Sequence, residues 1–193
     1  LGMVVNRFIE SYGATHIRYE PMDTVVLRRA MKEVFNQDRL PDLDLDHTNF
    51  LLSFGADFLG PWISPVRFGR GYGEFRQGKE RHHRGYFVQV EPRLSHTGAS
   101  ADDWIPVTPG MEGVLAMSLA YVIIDENIDG LGDTDAARSL TGGKGSAALT
   151  EYAPENIANT LGLPTLRGVE PASKIRALAR RFALERPSLA IGG

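Results

Sequence analysis

No cysteine occurs anywhere in the 193 residues. Within this segment that excludes a disulfide framework, thiolate-held iron–sulfur clusters and zinc–thiolate sites. Long apolar runs are also missing. A bilayer span needs ~20 consecutive apolar residues. The longest candidate, Val114 to Ile124, is interrupted by Ser118 and Tyr121 and reads as a buried helix. No direct membrane span is therefore expected. Positive charge is scarce: 21 Lys and Arg stand against 24 Asp and Glu, for a net charge of −3 and a pI near 6.0. That balance argues against a nucleic-acid partner, which requires a basic field to compete for phosphates.

What is present suits a globular protein: 42% apolar and 23% charged residues, in a chain long enough for one substantial domain. We expect a single α/β domain over residues 1–193. The chain opens at Leu1 and closes on Ile191-Gly192-Gly193 straight after a strand-like run, and is expected to be a fragment of a larger subunit.

Apolar residues at helical spacing predict a helix from Val4 to Tyr12, stopped by Gly13. Thr15 to Tyr19 alternates and predicts a strand. Pro21 and Asp23 start a second helix through Phe35. Leu40 to His47 reads as an acidic loop. Phe50 to Phe54 and Tyr86 to Val90 are continuous apolar runs, the pattern of strands buried on both faces. Between them lies a helix over Ser64 to Arg76, weakened by glycines. A short strand follows at Trp104 to Val107, then a strong helix from Met111 to about Asp125. Asn127 to Thr150 is Gly-, Asp- and Ser-rich without a period and is expected to be an exposed insertion. Helices at Pro154 to Leu161 and Pro171 to Glu185 and a strand at Ser188 to Ile191 complete the chain. The alternation predicts a three-layer, doubly wound α/β fold on a mostly parallel, Rossmann-like sheet.

Ligands of open parallel sheets sit at the carboxyl ends of the strands. Three strand ends carry suggestive chemistry. At Ser53-Phe54-Gly55-Ala56-Asp57, Gly55 permits a sharp turn and close backbone approach, and Asp57 puts a carboxylate at the rim. An ordinary βα turn would look the same. At Val90-Glu91-Pro92-Arg93, Glu91 could accept from both hydroxyls of a ribose and Arg93 could meet a phosphate; a surface Glu–Arg pair is the alternative. In the third, Ala101 to Gly113, a loop enters a helix whose first turn contains Glu112, either as a ligand group or as a charge favoured by the helix dipole.

Taken in order, the segments SFGAD, VEPR, ADDWIPV and PGMEGVLAMSLAYVII resemble the third domain of the molybdopterin oxidoreductases of the dimethyl-sulfoxide-reductase type. The resemblance covers most of Phe50 to Gly193 apart from Asn127 to Thr150. Within that family, Gly55 to Val66 (GADFLGPWISPV) looks most like the molybdopterin-like iron–sulfur subunit of alternative complex III, a membrane-bound quinol oxidoreductase.

The resemblance implies a domain that cradles one guanine dinucleotide arm of a molybdenum cofactor. Gly55 and Asp57 would line the nucleotide, Glu91 and Arg93 would face ribose and phosphate, and Glu112 would face guanine. The family often has Asn at the position of Asp57, Asp at Glu91 and Thr-Asp at Met111-Glu112. An Asp beside a pyrophosphate opposes binding. These departures suit a subunit that has lost the cofactor, so none is expected in this segment and the five positions would be vestigial. It also implies iron–sulfur clusters elsewhere in the full subunit, and as partners the other subunits of a respiratory or photosynthetic electron-transfer complex. Membrane association would run through those partners, on the periplasmic side. The rival expectations are an active domain holding the guanine dinucleotide, and a stand-alone Rossmann-like nucleotide-binding module. The last is disfavoured, because no glycine-rich phosphate loop follows the first strand.

Other motifs carry less. His82-His83 lies in a basic loop without further metal ligands, and His96 could contact a phosphate or a partner. Leu43 to His47 lacks the glycine and terminal glutamate of a calcium loop. Thr141 to Ser146 lacks the spacing of a phosphate loop. Trp62 and Trp104 read as packing anchors.

Overall fold

A computed structural model of the protein describes residues 2–17, 24–77, 84–165 and 168–193. The chain divides into two compact units, Leu1–Leu40 and Pro41–Gly193.

The first unit contains α1 (Gly2–Tyr12) and α2 (Val25–Phe35), both amphipathic and neither with a buried residue. Gly13 ends α1 at a φ of 64°, and Asn36 caps α2 at a φ of 53°. Thr15 to Ile17, read as the start of a strand, have no regular structure. A strand needs a neighbour to pair with, and the described part of this unit offers only helices. Arg18, Tyr19, Pro21 and Asp23 lie outside the described residues.

The second unit is built on four parallel strands: β1 (Phe50–Phe54), β2 (Tyr86–Val90), β3 (Asp103–Ile105) and β4 (Ser188–Gly192), in the order β3-β2-β1-β4. The α/β, parallel-sheet expectation holds. Continuous apolar strands bury both faces, and alternate residues feed two cores. Phe50, Leu52, Val88 and Val90 pack with Leu115, Leu119 and Val122 of α5 (Glu112–Asp125) and with Ile175 and Ala179 of α8 (Pro171–Leu184). Leu51, Phe87 and Ile191 pack with Phe68 and Phe75 of α3 (Pro65–Gln77) and with Leu45 and Phe58. The connection from β1 to β2 thus covers one face and that from β3 to β4 the other. This makes the sheet doubly wound, with its switch point between β1 and β4.

One of the glycines of α3 has a use. A β-carbon on Gly71 would lie 2.5 Å from Asp46 Oδ1 and 3.1 Å from Leu45 Cβ, so the missing side chain lets the segment carrying fully buried Leu45 close on the helix.

Residues 127–150 are not the bare exposed loop expected. They form a 3-10 segment (Ile128–Asp133), α6 (Asp135–Leu140) and a second 3-10 segment that starts at Gly145, and they bury Ile128, Ala137, Thr141 and Leu149. Elements this short show no periodicity in sequence. The helix expected to reach Leu161 is a single turn, α7 (Pro154–Ile157), followed by turns that deliver Leu161 to the core.

Candidate functional site

Strand register fixes the rim. Phe54 pairs with Val90 and with Gly192, and Val90 pairs with Ile105. The carboxyl ends of all four strands therefore lie side by side, and the three suggestive segments share one edge of one sheet.

Gly55 turns the chain out of β1 at a φ of 72° and donates its N–H to Val90 O at 2.9 Å. Across the switch point, Gly193 donates to Phe54 O at 3.0 Å. A β-carbon on Gly193 would sit 2.5 Å from Ala56 Cα, so the two chain segments touch backbone to backbone.

Asp57 begins a tight turn closed by Gly60 N–H to Asp57 O at 2.9 Å. Its carboxylate does not point to open rim. Oδ1 accepts from the hydroxyl of Thr97, a fully buried residue of the short helical turn α4 (His96–Ala99), and Thr97 Oγ1 in turn accepts from Leu59 N–H at 3.2 Å.

Glu91, at the end of β2, is 5% exposed. Oε1 accepts from Ser95 N–H at 2.6 Å and Oε2 from Gln89 Nε2 at 3.0 Å, so both oxygens are engaged. Gly98 makes the room: a β-carbon there would collide with Glu91 Oε1. Trp104 Nε1 donates to Glu91 O at 3.2 Å and so ties β3 to the same point.

Two of the five singled-out residues keep free charged ends. Arg93 is exposed, and Glu112 opens the first turn of α5; neither has a hydrogen bond or ion pair with a described residue. Gly110 enters that turn at a φ of 84°, and Met111 N–H donates to Thr108 O at 3.0 Å. His96 is exposed on α4.

A ribose requires outward carboxylate lone pairs at Glu91, but each of its oxygens already accepts one internal hydrogen bond and the residue is 5% exposed. A phosphate would find Arg93 but also the engaged negative charge of Asp57. As folded, Glu91 and Oδ1 of Asp57 are held by donors of their own chain, while Arg93 and Glu112 keep unpaired charged ends. The partners that turn the acids inward, Gln89, Ser95, Thr97 and Gly98, escaped the sequence reading. One signal was available, since a glutamine inside the apolar strand Tyr86–Val90 must find a partner.

The weaker motifs are spent structurally. In the acidic loop, His47 Nδ1 lies 2.7 Å from Asp44 Oδ1, and Arg67 lies 3.0 Å from Asp46. Thr141 Oγ1 accepts from Gly145 N–H at 3.1 Å and donates to Ala137 O at 2.7 Å, which makes that stretch a helix-ending turn. Among the described residues no group of three or more His, Cys, Asp or Glu could hold a metal, and no helix is long and apolar enough to cross a membrane. His82 and His83 lie outside the described residues.

No family model matches the chain. It is 30% identical over 152 residues to the menaquinone reductase, molybdopterin-binding-like subunit of Nitratidesulfovibrio vulgaris, covering 78% of this chain and 20% of that protein. The probable dimethyl sulfoxide reductase chain YnfF of Escherichia coli is 28% identical over 196 residues, which is 94% of this chain and 24% of that one. The molybdopterin-containing subunit of the arsenate respiratory reductase of a Shewanella species is 37% identical over 87 residues, 44% of this chain and 9% of that one. This chain thus spans about a fifth to a quarter of the length of the first two. Among solved structures, acetylene hydratase from Pelobacter acetylenicus shares the fold, with a TM-score of 0.54 at 21% identity over 76% of this chain and 18% of that one.

Proposed function

The chain belongs to the molybdopterin oxidoreductase family of the dimethyl-sulfoxide-reductase type, and on that premise we propose that it is a scaffold domain that has lost the molybdenum cofactor, in a quinol-oxidising electron-transfer subunit of the alternative complex III kind. Electrons would pass through iron–sulfur clusters held by other parts of the polypeptide, because this segment has no cysteine to ligate one. The subunit would join the membrane through partner subunits, on the periplasmic side. One relative's name, with its menaquinone and its molybdopterin-binding-like subunit, lends support to a quinone substrate and to an altered cofactor site.

The observation that carries the reading is the inward commitment of Asp57 and Glu91 to α4. Burying a carboxylate among donors supplied by its own chain fixes a loop but leaves little to offer a nucleotide.

The rival reading, an active domain holding the guanine dinucleotide, draws on unpartnered Arg93, on Glu112 and on the exposed turn at Gly55. Elemental analysis of the purified native complex separates the two. The scaffold reading expects iron with no stoichiometric molybdenum or tungsten. One metal per subunit, with a releasable pterin, would overturn it.

A further inference from the structure

The loop that leaves β2 and runs through α4 has a fixed inner side. Glu91 Oε1 accepts from Ser95 N–H at 2.6 Å, Ser95 Oγ from Gly98 N–H at 3.0 Å, and Thr97 donates to Asp57. At its far end Ser100 O accepts from the Tyr72 hydroxyl at 2.7 Å and from Arg76 at 3.3 Å.

Its outer side displays Arg93, Leu94 and His96. All three are exposed, and neither the guanidinium nor the imidazole has a hydrogen bond or ion pair with a described residue. Leu94 is 50% exposed and leans on α4, since a β-carbon on Gly98 would lie 3.1 Å from its Cδ1. The acids nearby do not balance Arg93. Residues 92–100 contain none. Glu91 and Asp57 Oδ1 are engaged from within, and Glu112 opens α5, which covers the opposite face of the sheet.

A loop already held rigid loses little freedom on binding, which raises affinity. Arginine is also among the residues that dominate interface energies. A free phosphate would engage Arg93 and the His96 N–H but leave Leu94 in water. An apolar side chain between two donors suits a protein surface that sets a carboxylate beside an apolar recess.

We propose that the Arg93–Leu94–His96 face docks on an acidic surface of a neighbouring subunit, with Arg93 on a carboxylate and Leu94 in an apolar recess. The inference rests on the reading of the chain as a scaffold domain of a multi-subunit complex.

The test uses the native complex, purified through a tag on this subunit. Arg93→Glu and Leu94→Asp should each lower the yield of one particular partner subunit at least about tenfold at a fixed salt concentration. Arg93→Lys should retain more of it than Arg93→Glu, and Lys144→Glu, an exposed charge reversal elsewhere, should change nothing. With a benzophenone side chain at position 94, irradiation should attach the subunit to an acidic segment of that same partner. An intact complex with every variant, a crosslink only within the subunit's own polypeptide, or loss of a bound pterin in place of a subunit would overturn the inference alone. A tagged subunit that brings down no other polypeptide would overturn the scaffold reading together with it.

Discussion

The Thr97 hydroxyl donates to the Asp57 carboxylate and accepts from Leu59 N–H, so one buried threonine ties the loop leaving β1 to the helical turn that follows β2. The two loops flank the rim formed by the carboxyl ends of the strands. Thr97→Val keeps the shape of the side chain and removes both bonds, leaving a carboxylate and an amide short of partners. A buried group left unsatisfied costs about 1–3 kcal/mol, and each kcal/mol lowers the Tm of a domain of this size by roughly 2–4 °C. Thermal unfolding of Thr97→Val and Thr97→Ser separates the cases. The serine variant, which retains the hydroxyl, should lie much closer to the parent, and a valine variant as stable as the parent would show the tie to be idle.

Glu91 and Gly98 form a matched pair, because the carboxylate occupies the volume a side chain at Gly98 would need. Gly98→Ala should destabilise by about 1–3 kcal/mol through overpacking. Combined with Glu91→Ala, which itself strands Ser95 N–H and Gln89 Nε2, it should cost less than the sum of the two single changes. Denaturant unfolding of the four-member cycle measures this coupling, and strict additivity would contradict the packing relation.

Much of this arrangement was legible in advance. Phe50–Phe54 and Tyr86–Val90 are apolar but for Ser53 and Gln89, so their depth in the sheet follows from composition, and Gly55 and Glu91 mark their ends. Parallel pairing then places those ends together. What the acids do there was not legible. Asp57 meets Thr97 across 40 residues and Glu91 folds back four residues onto Ser95; in sequence, a carboxylate facing a ligand and one facing its own loop are spelled alike. The packing of Ile128 and Leu149 was hidden for another reason: each sits alone in a short turn, where no hydrophobic period can develop.

At the opposite end of the sheet, Asp102 gathers the start of β2. It is paired with Arg76, lies 3.1 Å from Arg84, and accepts from Phe87 N–H at 2.8 Å. Burial by itself would raise its pKa; the Arg76 hydrogen bond, the Phe87 amide and the two guanidinium charges outweigh burial and hold the carboxyl below its ordinary value. The unfolded chain therefore takes up this proton at a higher pH than the folded one. The stabilisation is complete above the unfolded value of about 3.9 and is lost as pH falls through the lower folded value. Asp102→Asn should be less stable than the parent at neutral pH, and the gap should narrow steadily below about pH 4. A gap in Tm that does not change with pH would refute the assignment.

Among the described residues two fully buried oxygens lack a hydrogen-bond partner, Gln89 Oε1 and Ser118 Oγ, and their removal should have opposite signs. Ser118 faces the apolar core from the middle of α5 and does nothing for any neighbour. Ser118→Ala deletes an unsatisfied hydroxyl and puts the best helix former in its place, so it should raise stability by up to about 1 kcal/mol. Gln89 also leaves one oxygen idle, but its amide nitrogen donates to Glu91 Oε2. Gln89→Leu would strip a buried carboxylate of one of its two donors, and that cost exceeds the gain from losing an orphan acceptor. Chemical denaturation should therefore show the midpoint rising for Ser118→Ala and falling for Gln89→Leu. If both rise, Glu91 does not depend on the strand beneath it, and the account of the rim as a self-satisfied polar cluster fails.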